Sequence, residues 1–213
     1  MKRSVGGCGS LILVVLFAGR LPADPPADSP AGAPQAVELT VGQELPGFAA
    51  VGDDGKPWIA AEHVGKKVVV MYFYPGDFTG GCIRQAVAVR DGLAKLEALD
   101  IEIVGVSGDS VETHQLFKSA FGLKHALLAD PDGALARQLG VPVQNGSRVR
   151  TRNPDGKPLL DAAGKSIMVE RKSTLPRWTL VIGKDGKLLS KRTKVDPATE
   201  ADEVAKLVAD AAK

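Results

Sequence analysis

Residues 67–99 have the sequence KVVVMYFYPGDFTGGCIRQAVAVRDGLAKLEAL, and this stretch decides the fold. Residues 67–74 form a continuous run rich in β-branched and aromatic side chains, which predicts a strand buried on both faces. The glycine-rich PGDFTGG that follows predicts a loop. From Cys82 to Leu99, apolar residues recur at near-helical spacing and predict a helix. The stretch is therefore a strand, a loop and a helix in succession.

The flanking sequence continues this alternation of strand and helix signals. It predicts an N-terminal hairpin over 44–59, strands at 101–106 and 125–129, helices at 111–121, 133–139 and 199–212, and a C-terminal hairpin over 178–191. Such an order predicts an α/β fold in which a mixed central sheet is flanked by helices. A thioredoxin-like architecture fits that order.

Residues 142–176 interrupt the pattern with a long polar segment. Turn signals occur at 145–146, 154–156 and 163–164, and the pieces RVRTR and IMVER alternate like exposed strands. We therefore expect an inserted polar hairpin within a domain that spans residues 37–213.

The N-terminal residues have the layout of a secretory signal peptide. Lys2 and Arg3 precede an apolar run at 11–18 that is too short to span a membrane comfortably. We expect a signal peptide over residues 1–23, with an uncleaved anchor as the alternative, and a Pro/Ala-rich disordered tether over 24–36. The domain is then periplasmic or secreted, with no stable membrane segment once the signal is cleaved.

The composition excludes several classes of protein. Of the 213 residues, 44% are hydrophobic and 24% are charged, as in an ordinary globular domain. The formal net charge of +2 gives no basic excess of the kind that binds phosphate backbones, so we expect no nucleic-acid partner.

One cysteine carries the chemical interest of the domain. The sequence has two, Cys8 and Cys82, and we expect Cys8 to leave with the signal peptide or, if an anchor remains, to lie at the cytoplasmic face, away from the exported domain. Cys82 follows Gly81 where a loop enters a helix, and unsatisfied backbone N–H groups at that end favour a thiolate. Thr79 can place a hydroxyl beside the sulfur, and Pro75 can screen it from water. The residues alone leave open whether this thiol is structural or reactive.

The segment PGDFTGGC, residues 75–82, resembles the P-x-x-x-T-x-x-C motif of peroxiredoxins. The preceding VVVMYFYP and the stretches IEIVGVSGDS, ALLADPDGALARQLGV and RWTLVIGKDGKL resemble the Q-type or bacterioferritin-comigratory-protein branch of the AhpC/TSA superfamily. The resemblance implies a thiol-dependent peroxidase without a cofactor. It implies Cys82 as the nucleophile, Thr79 as a hydrogen-bonding partner of peroxide, and Arg177 as the active-site arginine, oriented by Gln85.

The sequence departs from that branch at one position. Many members carry a second cysteine five residues after the first, where this chain has Val87. A sulfenic acid on Cys82 then has no internal thiol with which to condense, so an external thiol must reduce it. A thioredoxin-like protein is the first choice of reductant, and the protein is expected to be a monomer or a homodimer.

Other interpretations of the same residues remain. A catalytically silent thioredoxin-fold module for binding or copper delivery is the alternative function, although no second soft ligand is visible near Cys82. The three histidines show no metal-site spacing, so no metal is expected. Asp77 and Asp109 follow predicted strands, where either turn capping or a site explains them.

The inserted segment also allows two interpretations. Residues 142–177 hold eight basic and three acidic side chains, a net charge of +5. Such a run is usually a solvated surface. Alternatively, it borders the active site and attracts an acidic reductase.

Overall fold

The computed structural model describes residues 38–211. The strands in that range are β1 (Ala49–Gly52), β2 (Pro57–Ile59), β3 (Val68–Phe73), β4 (Ile101–Ser107), β5 (Ala126–Ala129), β6 (Gln144–Arg150), β7 (Met168–Thr174), β8 (Trp178–Ile182) and β9 (Leu188–Arg192). The helices are α1 (Ala60–His63), α2 (Gly80–Ala98), α3 (Val111–Phe121), α4 (Ala134–Gln138) and α5 (Glu200–Ala211). The expected signal peptide and tether lie outside the described residues.

Seven strands form one mixed sheet in the order β2-β1-β5-β4-β3-β8-β9. The central strands β3, β4 and β5 are parallel, as the helical crossovers between them require. β8 pairs antiparallel with β3, and β9 pairs antiparallel with β8. The prediction of an α/β fold with a mixed central sheet is confirmed.

The central strand β3 is buried along its whole length, as its apolar run predicts. Because successive side chains point to opposite faces of a sheet, β3 contributes to both hydrophobic layers. Val70 and Tyr72 pack with α2, α3 and α5 on one face. Met71 and Phe73 pack with α4 on the other. Helices therefore cover the sheet on both sides.

Local sequence signals gave most element boundaries closely. The helix Val111–Phe121 and the strand Trp178–Ile182 have the expected bounds, whereas α2 begins two residues earlier than expected, at Gly80. The single turn Ala60–His63 was not predicted, because four residues hold too little periodicity to detect. No helix within residues 38–211 is long and apolar enough to cross a membrane.

The polar segment forms a separate two-stranded antiparallel sheet of β6 and β7, as the hairpin prediction requires. Its outer face carries exposed Arg148 and Glu170, which lie opposite each other. Its inner face is different, because Val169 joins the hydrophobic cluster that contains Cys82, and Arg171 is 4% exposed. The interpretation of the whole segment as a solvated surface is therefore wrong for this inner face.

Candidate active site

Cys82 lies in the first turn of α2, directly after the loop that leaves β3. Its side chain is 2% exposed, and no acidic residue occupies that turn of the helix. The backbone N–H groups at this helix end have no intrahelical partners and direct partial positive charge toward the sulfur. The local fold therefore places the sulfur at the positive end of the helix dipole.

Arg177 supplies a full positive charge at the same sulfur. Its Nη2 donates a hydrogen bond to Cys82 Sγ over 3.3 Å. The sheet register explains this contact, because Trp178 at the start of β8 pairs with Phe73 at the end of β3. Gly81 leaves room for the guanidinium, since a Cβ there would lie 3.1 Å from Nη2. The antiparallel pairing thus brings the arginine to the loop that carries the cysteine.

Gln85 lies one helical turn after Cys82 and connects the arginine to a buried acid. Its Oε1 accepts a hydrogen bond from Arg177 Nη1, and its Nε2 donates to Glu200 Oε2. Glu200 Oε1 accepts from the hydroxyl of Thr179 on β8. Burial raises the pKa of Glu200, and the hydrogen bonds from Thr179 and Gln85 oppose that rise. Glu200 was not among the expected site residues.

Thr79 immediately precedes α2, but its hydroxyl does not donate to the sulfur. Its Oγ1 donates to the carbonyl of Gly76 over 3.0 Å, which leaves the lone pairs of the hydroxyl free to accept. Pro75 is half-buried at the start of the same loop. The predicted residues Pro75, Thr79, Gly81, Cys82, Gln85 and Arg177 thus lie on this loop, on the start of α2 and on the approach to β8.

A second network, centred on Arg171, also anchors the loop. Arg171 Nε donates to Asp109 Oδ1 over 2.9 Å, and its Nη2 donates to the carbonyl of Asp77 over 2.9 Å. Its Nη1 lies 3.4 Å from the carbonyl of Pro75. The guanidinium occupies the space beside Gly76, where a Cβ would lie 2.1 Å from Arg171 Cζ. The inserted hairpin therefore holds the loop that precedes Cys82.

The two aspartates are fully buried members of this network, so local turn capping does not describe them. Asp77 accepts from Tyr74 Oη and faces His114 Nδ1, each over 2.8 Å, and its N–H donates to Asp109 Oδ2. Burial by itself would lower the pKa of His114, but the carboxylates of Asp77 and Asp109 raise it above its usual value. Burial and the neighbouring Asp77 raise the pKa of Asp109 against the opposing effect of Arg171.

The histidines of the described residues have structural partners. Within residues 38–211, no group of three or more His, Cys, Asp or Glu side chains is arranged to hold a metal ion. His125 instead faces Tyr72 Oη over 2.7 Å, and burial lowers its pKa to about 3. This histidine is therefore a neutral core residue at ordinary pH.

Fold and site together define a thioredoxin-fold protein in which the thiol of Cys82 is held against a guanidinium. The AhpC/TSA family model matches residues 41–191, and the chain belongs to this family. It is 40% identical over 105 residues to the chloroplastic peroxiredoxin Q of Sedum lineare, a match that covers 49% of this chain and 56% of that protein. It is 38% identical over 107 residues to a putative peroxiredoxin bcp of Coxiella burnetii, covering 50% of this chain and 70% of that protein.

Solved structures show the same fold. The Xanthomonas campestris bacterioferritin comigratory protein superposes with a TM-score of 0.63 at 25% identity, over 82% of this chain and 100% of that one. Peroxidoxin BcpB of Mycobacterium tuberculosis superposes with a TM-score of 0.64 at 23% identity, over 81% and 98%. The chain spans about half the length of the curated plant relatives that it matches.

Proposed function

We propose that the protein is a thiol-dependent peroxidase that reduces hydrogen peroxide and organic hydroperoxides at Cys82. The single observation that carries this function is the hydrogen bond of 3.3 Å from Arg177 Nη2 to Cys82 Sγ at the start of α2. A guanidinium and a helix N-terminus together favour a thiolate, which is the nucleophilic form of cysteine. The membership of the AhpC/TSA family supports the same chemistry.

The reaction follows from these groups. The Cys82 thiolate attacks one oxygen of ROOH, the S–O bond forms, and the O–O bond breaks. The departing oxygen takes a proton and leaves as alcohol or water, while the sulfur is oxidised by two electrons to sulfenic acid. Negative charge moves from sulfur to the departing oxygen, and the several donors of Arg177 can follow it. The free lone pairs of Thr79 can accept the hydrogen of the hydroperoxide.

Recycling of the sulfenic acid needs a thiol from outside the chain. Cys82 is the one cysteine within residues 38–211, and Val87 occupies the place of the second cysteine of many relatives. A thiol of the reductant condenses with the sulfenic acid, releases water and forms a mixed disulfide, which a second thiol then cleaves. A thioredoxin-like dithiol protein fits this one-cysteine scheme, and the signal-peptide pattern of residues 1–23 supports a periplasmic or secreted location.

The test is a peroxide challenge of the reduced protein, followed by trapping with a sulfenic-acid reagent and intact mass measurement. We expect a rapid single-oxygen adduct on Cys82 and none in Cys82→Ser. A wild-type thiol that stays unmodified by hydrogen peroxide and by an organic hydroperoxide would refute the peroxidase. That outcome would favour the silent binding or copper-delivery module instead.

A further inference from the structure

The carboxylate of Glu200 joins three elements behind the cysteine. Glu200 is the first residue of α5 and is fully buried, whereas the neighbouring Asp202 is exposed and pairs with Lys95 over 2.7 Å. Ala201 and Val204 pack α5 into the hydrophobic cluster that contains Cys82. The packing of α5 therefore fixes Glu200 inside the protein and leaves Asp202, in the same turn, in solvent.

Each carboxylate oxygen of Glu200 accepts a hydrogen bond from one side chain. Thr179 on β8 donates to Oε1, and Gln85 on α2 donates to Oε2. Thr179 lies two residues after Arg177 on the same segment of chain. The acid therefore ties α2, which carries the cysteine, to β8, whose first residue directly follows the arginine.

The side-chain amide of Gln85 can satisfy both of its neighbours in one orientation only. A carboxylate offers acceptors and no donor, so the NH₂ group must face Glu200. A guanidinium offers donors and no acceptor, so the amide oxygen must face Arg177. Turning the amide over would bring donor against donor and acceptor against acceptor, and both contacts would be lost.

We propose that Glu200 is a positioning residue for the peroxide reaction: by fixing the amide of Gln85, it holds the guanidinium of Arg177 on the sulfur of Cys82. The proposal rests on the proposed function for its role in peroxide reduction. It assigns a task to α5, because this helix supplies the acid while α2 and the residue before β8 supply Cys82 and Arg177. Gln85 and Glu200 lie 115 positions apart in the sequence, so no local pattern predicts their contact.

The test compares Glu200→Gln, which keeps the size and removes the charge, with Asp202→Asn. The second variant removes the same charge from the same helical turn at an exposed position without contact to Gln85. The readouts are kcat/KM for peroxide and the midpoint pH for alkylation of Cys82 by iodoacetamide. We expect Glu200→Gln to lower kcat/KM about tenfold, the size typical of one lost charge-assisted hydrogen bond, and Asp202→Asn to leave it within about twofold.

The direction of the alkylation midpoint separates positioning from a through-space charge effect. Loss of a nearby negative charge alone eases formation of the thiolate and lowers the midpoint. Loss of a well-placed guanidinium raises it. We expect the midpoint of Glu200→Gln to rise. A folded variant with an unchanged or lowered midpoint would overturn the proposal.

A rescue variant makes the test specific. Gln85→Glu combined with Glu200→Gln moves the carboxylate one side chain inward, where it accepts from Arg177 directly. We expect this double variant to recover most of the kcat/KM that Glu200→Gln loses, and failure to recover any of it counts against the proposal. Should Glu200→Gln fail to fold, Glu200→Asp, which keeps the charge and withdraws it by one methylene, is judged by the same direction of the midpoint.

Alkylation needs no peroxide, so the two proposals fail separately. If the wild-type protein does not reduce peroxide but Glu200→Gln still raises the alkylation midpoint, the peroxidase function is refuted. The coupling of Glu200 to Arg177 is then retained. If the wild-type protein reduces peroxide but Glu200→Gln leaves the alkylation midpoint unchanged, only the coupling of Glu200 to Arg177 is refuted.

Discussion

Replacement of Arg171 by methionine tests whether the inserted hairpin holds the loop before Cys82. The change keeps a long apolar side chain and removes the guanidinium. It deletes the ion pair with Asp109 and the hydrogen bond to the Asp77 carbonyl, each 2.9 Å long, together with the longer contact to Pro75. Asp109 is fully buried and then loses the guanidinium that opposes the effects of burial and of Asp77 on its pKa.

The structure sets the size of the effect. Two opposite charges at 2.9 Å attract by about 6 kcal/mol at an effective dielectric constant of about 20. Part of that attraction offsets the cost of burying the guanidinium, which the methionine no longer incurs. Breaking a buried pair by removing one partner costs about 3–5 kcal/mol in general, and we expect a loss in this range from the free energy of unfolding.

The assay is urea denaturation followed by tryptophan fluorescence at pH 7, with Lys172→Met as the matched control. Lys172 is the next residue of β7, is exposed, and lies 3.6 Å from Asp132, so its loss should cost less than about 0.5 kcal/mol. Adding Asp109→Asn to Arg171→Met removes the stranded charge and should restore part of the stability. A decrease of less than about 1 kcal/mol in the free energy of unfolding of Arg171→Met, at an unchanged denaturant slope, would refute the inference that the inserted hairpin holds the loop before Cys82.

Three further predictions concern the hydroxyl of Thr79, the docking of the reductant and the dependence of stability on pH. Thr79→Val should lower kcat/KM for peroxide roughly tenfold without changing the circular dichroism spectrum, and an unaltered rate would contradict the role of this hydroxyl. Reversal of Arg148, Arg150 and Arg152 to Glu should slow reduction by an acidic dithiol protein and invert its dependence on ionic strength, whereas reduction rates equal to those of the wild type at every salt concentration would count against docking there. Because burial lowers the pKa of His125 to about 3, the unfolded chain binds its proton first as pH falls below about 6.5. Wild-type stability should then drop by about 2 kcal/mol between pH 7 and pH 5 relative to His125→Gln in urea titrations, and parallel pH profiles would show that His125 is not the cause.

The sequence predicts the sheet and its helices because their signals are local. The apolar run of β3 and the helical spacing after Cys82 extend over enough residues to distinguish strand from helix. The cysteine, its loop and Arg177 were likewise predicted, but only with the help of a resemblance, since no local pattern places Arg177 against a sulfur 95 positions earlier in the chain.

The partners that hold the site could not be predicted in the same way. Arg171 lies on β7 between the exposed residues Glu170 and Lys172, and this charged context predicts a solvated strand. Its alternation with Val169 was the one available signal, because residues two apart on a strand share a face and Val169 is apolar. Its true partner Asp109 lies 62 positions away, and that distance leaves no trace in local periodicity.

The network of Arg171 and the network of Glu200 hold different groups. Loss of each should therefore have a different effect. Arg171 binds main-chain carbonyls of the loop, so its loss moves backbone and should appear chiefly as lost stability. Glu200 acts on one amide and one guanidinium, so its loss leaves the backbone in place and should appear chiefly at the sulfur. Groups that stabilise developing charge must be oriented before the reaction begins, and burial of a charged partner is how the chain fixes them. Cys82 has no second cysteine beside it within the described residues, and the buried carboxylates of Glu200 and Asp109 instead hold the groups that surround it, through Gln85 and Arg171.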